Sequence, residues 1–88
     1  MVFYIYKQRK EVQTMQYTQR IKELREDNDL KQENIAKILK TSRSYYGQYE
    51  RGIRPLTIEH LITLCKYYNK SADYILGFTD EPKPLPKK

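Results

Sequence analysis

Between Thr18 and Gly77 every stretch with helical periodicity is cut short by a residue that stops a helix, and the stops recur closely enough that only short helices can form. Thr18 is placed to cap a first helix reaching about Asn28, with Ile21, Leu24 and Arg25 on one stripe. The cluster Asp27-Asn28-Asp29 then ends it. A second helix from Gln32 to Leu39 carries Ile35, Ala36 and Leu39 at the spacing of a buried stripe, and Thr41 and Ser42 interrupt it. Ser42 can cap a third helix from Arg43 to Arg51, which Gly52 and Pro55 close. Thr57 caps a fourth, with Ile58, Leu61, Ile62, Leu64, Cys65 and Tyr68 as core candidates, and Ser71 caps a short fifth ending at Gly77. Short stripes of this kind must be buried against one another, so the expected architecture is all-α with five helices.

The ends read differently. Residues 1–17 hold no proline or glycine and open with the β-prone run Val2-Phe3-Tyr4-Ile5-Tyr6, followed by Lys7, Gln8, Arg9 and Lys10, so they read as an N-terminal arm able to form a strand. Met15 stands just ahead of the first helix, which marks residues 1–14 as an extension of the module. From Thr79 to Lys88, Pro82, Pro84 and Pro86 are interleaved with lysines, the composition of an extended, solvated tail. The organisation expected is therefore arm 1–17, helical domain 18–78 and tail 79–88.

Lys and Arg number 17 against 11 Asp and Glu, a formal net charge of +6 that suits a polyanionic partner. The longest apolar run is far shorter than the roughly 20 residues of a spanning helix, so no membrane role is expected. With one cysteine, Cys65, no internal disulfide can form, and a lone thiol among apolar neighbours fits a small core residue in a reducing cytoplasm. One histidine, one cysteine and no glycine-rich phosphate loop are too few groups for an enzyme or a metal centre, and no cofactor is expected. His60, in the first turn of the fourth helix, reads as a packing or surface residue.

Two short helices joined by the turn Lys40 to Ser42 form the unit whose second helix enters a DNA major groove. At 100° per residue, Arg43, Ser44, Gly47, Gln48 and Arg51 fall on one arc of the third helix while Tyr46 and Tyr49 point the opposite way. Arginine can bond guanine O6 and N7, glutamine adenine N6 and N7, and serine either, so Arg43, Ser44 and Gln48 are the candidate base readers. Gly47 would cost a helix interior about 1 kcal/mol relative to alanine, which is accepted more easily where a groove edge must approach closely. Tyr45 borders the arc, where its hydroxyl could meet a phosphate or its ring a thymine methyl. Gln32 opens the second helix, and Lys40, Arg51 and Arg54 flank the third, as candidate phosphate contacts. Arg25 and Glu50 fall on faces that should meet as a partly buried ion pair.

Residues 20–78 resemble the lambda-repressor and Cro-like helix-turn-helix family, often called the Xre family. The likeness rests on Ile21-Lys22-Glu23-Leu24-Arg25, Gln32-Glu33-Asn34-Ile35-Ala36, Ser42-Arg43-Ser44, Tyr49-Glu50-Arg51-Gly52 with Pro55, and Asp73-Tyr74-Ile75-Leu76-Gly77. It implies a five-helix domain that binds an operator as a two-fold dimer. It also implies base contacts from the positions of Arg43, Ser44 and Gln48, a phosphate contact from Gln32 and the Arg25–Glu50 pair. Three features depart from the pattern: Lys31 replaces a capping Ser or Thr, Lys40 stands where glycine is common, and Tyr45, Tyr46 and Tyr49 make the third helix unusually aromatic.

The expected function is thus sequence-specific binding of double-stranded DNA by a cytoplasmic transcriptional repressor. The competing expectation is an antitoxin-like or adaptor module that uses the same fold to hold a protein partner, because fold does not fix function. A homodimer is expected, with the apolar arm available for strand pairing and half-sites about 34 Å apart in an inverted repeat.

Overall fold

A computed structural model describes residues 16–85. Five helices follow one another without a strand among these residues: α1 Tyr17–Asp27, α2 Gln32–Ile38, α3 Arg43–Glu50, α4 Ile58–Tyr68 and α5 Ala72–Leu76. The strand expected near Val2 lies outside the described residues.

Three of the helices begin as the capping residues dictate. Ser42 Oγ accepts from the Tyr45 N–H at 3.0 Å, Thr57 Oγ1 from the His60 N–H at 3.2 Å and Ser71 Oγ from the Tyr74 N–H at 3.1 Å. Each satisfies one of the N–H groups a helix leaves without a partner in its first turn. Helix α2 follows Lys31, which has no side-chain acceptor, and Asn34 reaches back instead, its Oδ1 accepting from the Lys31 N–H at 2.7 Å. Helix α1 departs from expectation. It starts at Tyr17 rather than after a Thr18 cap, with Gln16 in extended backbone and no side-chain acceptor. Its start is held by tertiary contact instead: the Leu56 N–H donates to Tyr17 Oη at 3.3 Å, tying α1 to the loop after α3.

The core is built from one stripe of each helix: Ile21 and Leu24 of α1, Ile35 and Ala36 of α2 with Leu39 beyond it, Tyr46 and Tyr49 of α3, Leu64 and Cys65 of α4 and Ile75 of α5. Helix α3 packs on α2 and α1, and α5 on α1 and α4. Each fully buried side chain of this kind contributes about 1.5–3 kcal/mol by leaving water. Burial also pushes the Cys65 thiol above its usual range, as an inert core cysteine requires.

Two core candidates of α4 are in fact exposed, Ile58 at 67% and Ile62 at 47%. Leu61, Leu64, Cys65 and Tyr68 share an arc of about 100°, and this is the side of α4 that packs on the core. Ile62 falls outside that arc and Ile58 lies in the open first turn.

Residues 79–85 form neither helix nor strand, but they return to the body rather than drifting into solvent. Arg20, only 5% exposed, donates from Nη2 to Asp80 Oδ1 at 2.7 Å and to the Thr79 carbonyl at 3.2 Å, with its guanidinium 4.0 Å from the Tyr74 ring centre. Further on, the Ser71 N–H donates to the Lys83 carbonyl at 3.3 Å and the Leu85 N–H to Asn69 Oδ1 at 3.2 Å.

Candidate nucleic-acid interface

The turn between α2 and α3 is a compact stop and restart. Thr41 N–H donates to the Ala36 carbonyl at 2.9 Å and Lys40 N–H to the Lys37 carbonyl at 3.0 Å, a pattern that requires left-handed backbone at Lys40, where φ is 59°. Ser42 then caps α3 directly. With Tyr46 and Tyr49 both fully buried, the rotation of α3 about its axis is fixed.

Its orientation is fixed by charge as well. Arg25 donates to Glu50 through Nε at 2.7 Å and Nη2 at 3.0 Å, and through Nη1 to the Leu30 carbonyl at 3.0 Å. The carboxylate side chain is 4% exposed, and Gln32 Nε2 donates to it at 3.1 Å. Burial alone would raise the Glu50 carboxyl, but the hydrogen bonds from Arg25 and Gln32 outweigh it and hold the group below its ordinary range. The ion pair expected from sequence is therefore present, and it joins α1, α2 and the end of α3.

On the opposite side, Arg43 and Ser44 are exposed and Gln48 is half-buried, all on one arc of α3. Lys40 and Arg51 are exposed at its two ends. A cleft of about 370 Å³ opens beside them, lined by Arg25, Lys31, Gln32, Glu33 and Arg43.

Three residues differ in detail from the sequence reading. Gly47 is buried, and a Cβ there would meet Gln32 Oε1 at 3.4 Å and Arg51 Nη1 at 3.3 Å. Within the protein, the close neighbours that favour glycine here are thus the side chains of Arg51 and Gln32. Gln32 itself leans toward Glu50 and Gly47, with one amide N–H left for a ligand. Tyr45 lies edge-on to Tyr49 and His60, and the Arg54 guanidinium sits 4.0 Å over its ring centre. His60 is a packing residue, its Nδ1 sharing a 2.6 Å hydrogen bond with Tyr49 Oη.

A family model described as helix-turn-helix matches residues 21–75, from the core isoleucine of α1 to that of α5. The chain belongs to the helix-turn-helix family of the lambda-repressor type. Among named relatives, it is 38% identical over 68 residues to an HTH-type transcriptional regulator, YobD, of Bacillus subtilis (strain 168), covering 77% of this chain and 61% of YobD. It is 36% identical over 61 residues to the HTH-type transcriptional regulator PrpR of Mycobacterium tuberculosis, covering 69% of this chain but 13% of PrpR. The chain therefore spans less than two thirds of either relative. Among solved structures, it resembles a transcriptional regulator from Listeria innocua with a TM-score of 0.70 at 28% identity, covering 78% of this chain and 64% of that one. The DNA-binding domain of the P22 C2 repressor gives a TM-score of 0.67 at 27% identity, covering 75% and 87%.

Within this helix-turn-helix domain, sequence reasoning grouped Arg54 with the flanking cations and missed its bond to Gln48, whose Oε1 accepts from Arg54 Nε at 3.2 Å. The order of residues held no signal for it, since the contact depends on how the loop after α3 folds back. Arg20 was missed in a different way. An arginine at a helix start reads as surface charge, and only the placement of Asp80 and Tyr74 around it explains its burial.

Proposed function

We propose that this chain binds double-stranded DNA sequence-specifically as a transcriptional regulator, a repressor, with α3 in the major groove of an inverted-repeat operator. The observation that carries the reading is the two-sidedness of α3: buried tyrosines lock one side, while Arg43 and Ser44 are exposed and Gln48 half-buried on the other. In this reading those three contact base edges, and Gln32, Lys40, Tyr45, Arg51 and Arg54 supply phosphate or flanking contacts. The Arg25–Glu50 pair contacts no nucleotide and holds α3 at its angle.

Binding as a homodimer belongs to the same proposal, with half-sites about 34 Å apart. The exposed Ile58 and Ile62 provide apolar surface that a second copy would cover. A cytoplasmic location follows from access to the chromosome. No helix among the described residues is long and apolar enough to cross a membrane.

The test is selection of bound fragments from a random duplex pool, followed by titration of the selected site. An inverted repeat should emerge, and Arg43→Ala or Gln48→Ala should each cost about 1–3 kcal/mol on it and relax one base position without altering the melting curve. If binding never rises above the salt-sensitive background of any cation-rich protein, the regulator reading fails and a module serving a protein partner takes its place.

A further inference from the structure

Gln48 is usually an ambiguous reader, because its carboxamide offers one acceptor and two donors and can rotate to present either. Here the ambiguity is removed. Arg54 Nε lies 3.2 Å from the Gln48 side-chain oxygen, and since a guanidinium can only donate, the atom facing it must be the oxygen.

Arg54 is itself held from three sides. Its N–H donates to the Gln48 carbonyl at 3.3 Å, beside the Ile53 N–H at 2.9 Å, so the loop closes on the same residue its side chain grips. Gly52, with φ of 74°, permits that closure. The guanidinium lies over Tyr45, and Tyr45 is edge-packed at 5.5 Å on Tyr49 and 6.1 Å on His60, measured between ring centres. A planar guanidinium can stack flat on an aromatic face while its fork donates in a fixed direction, a combination that a lysine ammonium does not offer.

We propose that Arg54, stacked on Tyr45, is a positioning residue that turns the Gln48 oxygen toward itself and leaves the Gln48 amide N–H groups facing the groove, so that this position prefers guanine over adenine. Adenine recognition by glutamine needs the oxygen to accept from N6 while the amide donates to N7. With the oxygen turned toward Arg54, the outward group is a donor beside a cation. Guanine, whose O6 and N7 both accept, is the base whose edge matches it. This rests on the duplex-reading function proposed above and names the base for one of its contacts.

The experiment is selection from a random duplex pool with the full chain as wild type, Gln48→Ala, Arg54→Ala and Arg54→Lys, each first shown to melt as the wild type does. The Gln48→Ala pool identifies the position that Gln48 reads. That position should be guanine in the wild-type pool, and Arg54→Ala should lower its preference about tenfold while the other positions hold. Arg54→Lys should recover salt dependence but not the guanine preference. Adenine at that position in the wild-type pool overturns the inference, as does a guanine preference that Arg54→Lys fully restores. A uniform affinity loss in Arg54→Ala with unchanged base preference also overturns it, making Arg54 a phosphate contact. If no motif is enriched by any of the four chains, the duplex-reading function fails and this inference falls with it.

Discussion

Lys40 holds a backbone conformation that most residues avoid, with φ at 59° in the tight link between α2 and α3. A side chain there costs roughly 1–2 kcal/mol against the preceding carbonyl, and glycine would not suffer it. Lys40→Gly should accordingly raise stability by about 1 kcal/mol in urea titration, after allowing for glycine's greater freedom in the unfolded chain. If Lys40 meets a phosphate, the same variant should weaken DNA binding evenly across sequences and reduce the salt slope by about one. Glu50 sets a different test. Its carboxyl is ionised more readily in the folded chain than at its ordinary value of 4.5, so its stabilisation is complete above that value and disappears as pH falls through the lower folded one. Glu50→Gln leaves Arg25 without its charge partner and should cost about 3 kcal/mol near neutral pH. Thermal melts should show the gap to wild type closing as pH drops below 4.5.

At the scale of the element, all five helices stop in one way and start in several. Each is followed by a left-handed residue, in order Asp29, Lys40, Gly52, Asn69 and Gly77, and by an N–H that reaches back to the carbonyl five residues earlier. Two of those five are glycine and two are Asp or Asn, types that tolerate this backbone, so four of the stops could be read from residue type. Lys40 could not be read that way, because lysine has no local preference for the conformation and tertiary packing imposes it. The starts at Ser42, Thr57 and Ser71 were readable for the opposite reason: a short hydroxyl side chain caps a helix by local geometry alone. Tyr17 was not, since its anchor is a loop distant in sequence. Ser42 matters most among the caps because it launches α3. Ser42→Ala should cost about 1 kcal/mol of stability by thermal melting.

At the scale of the whole molecule, the inward tyrosines and the Arg25–Glu50 pair were legible because helical periodicity reports which side of an element faces its neighbours. The Arg54–Gln48 grip, the exposure of Ile58 and Ile62, and the burial of Arg20 were not, because each depends on how elements are placed rather than on their own pattern. Arg20 joins α1 to residues 79 and 80, and its side chain is 6% exposed while that of Asp80 is 85% exposed. Arg20→Ala should release the segment after α5. Amide exchange at Leu85 and Ser71 should quicken, while Ile35 and Leu64 stay protected until the domain unfolds as a unit.

That same fastening has a mechanical meaning. Drawing the first helix and the last described residues apart would load the Leu85 and Lys83 attachments to Asn69 and Ser71 and then the Arg20 guanidinium, so under tension the far end should peel away first and leave α2 and α3 in place.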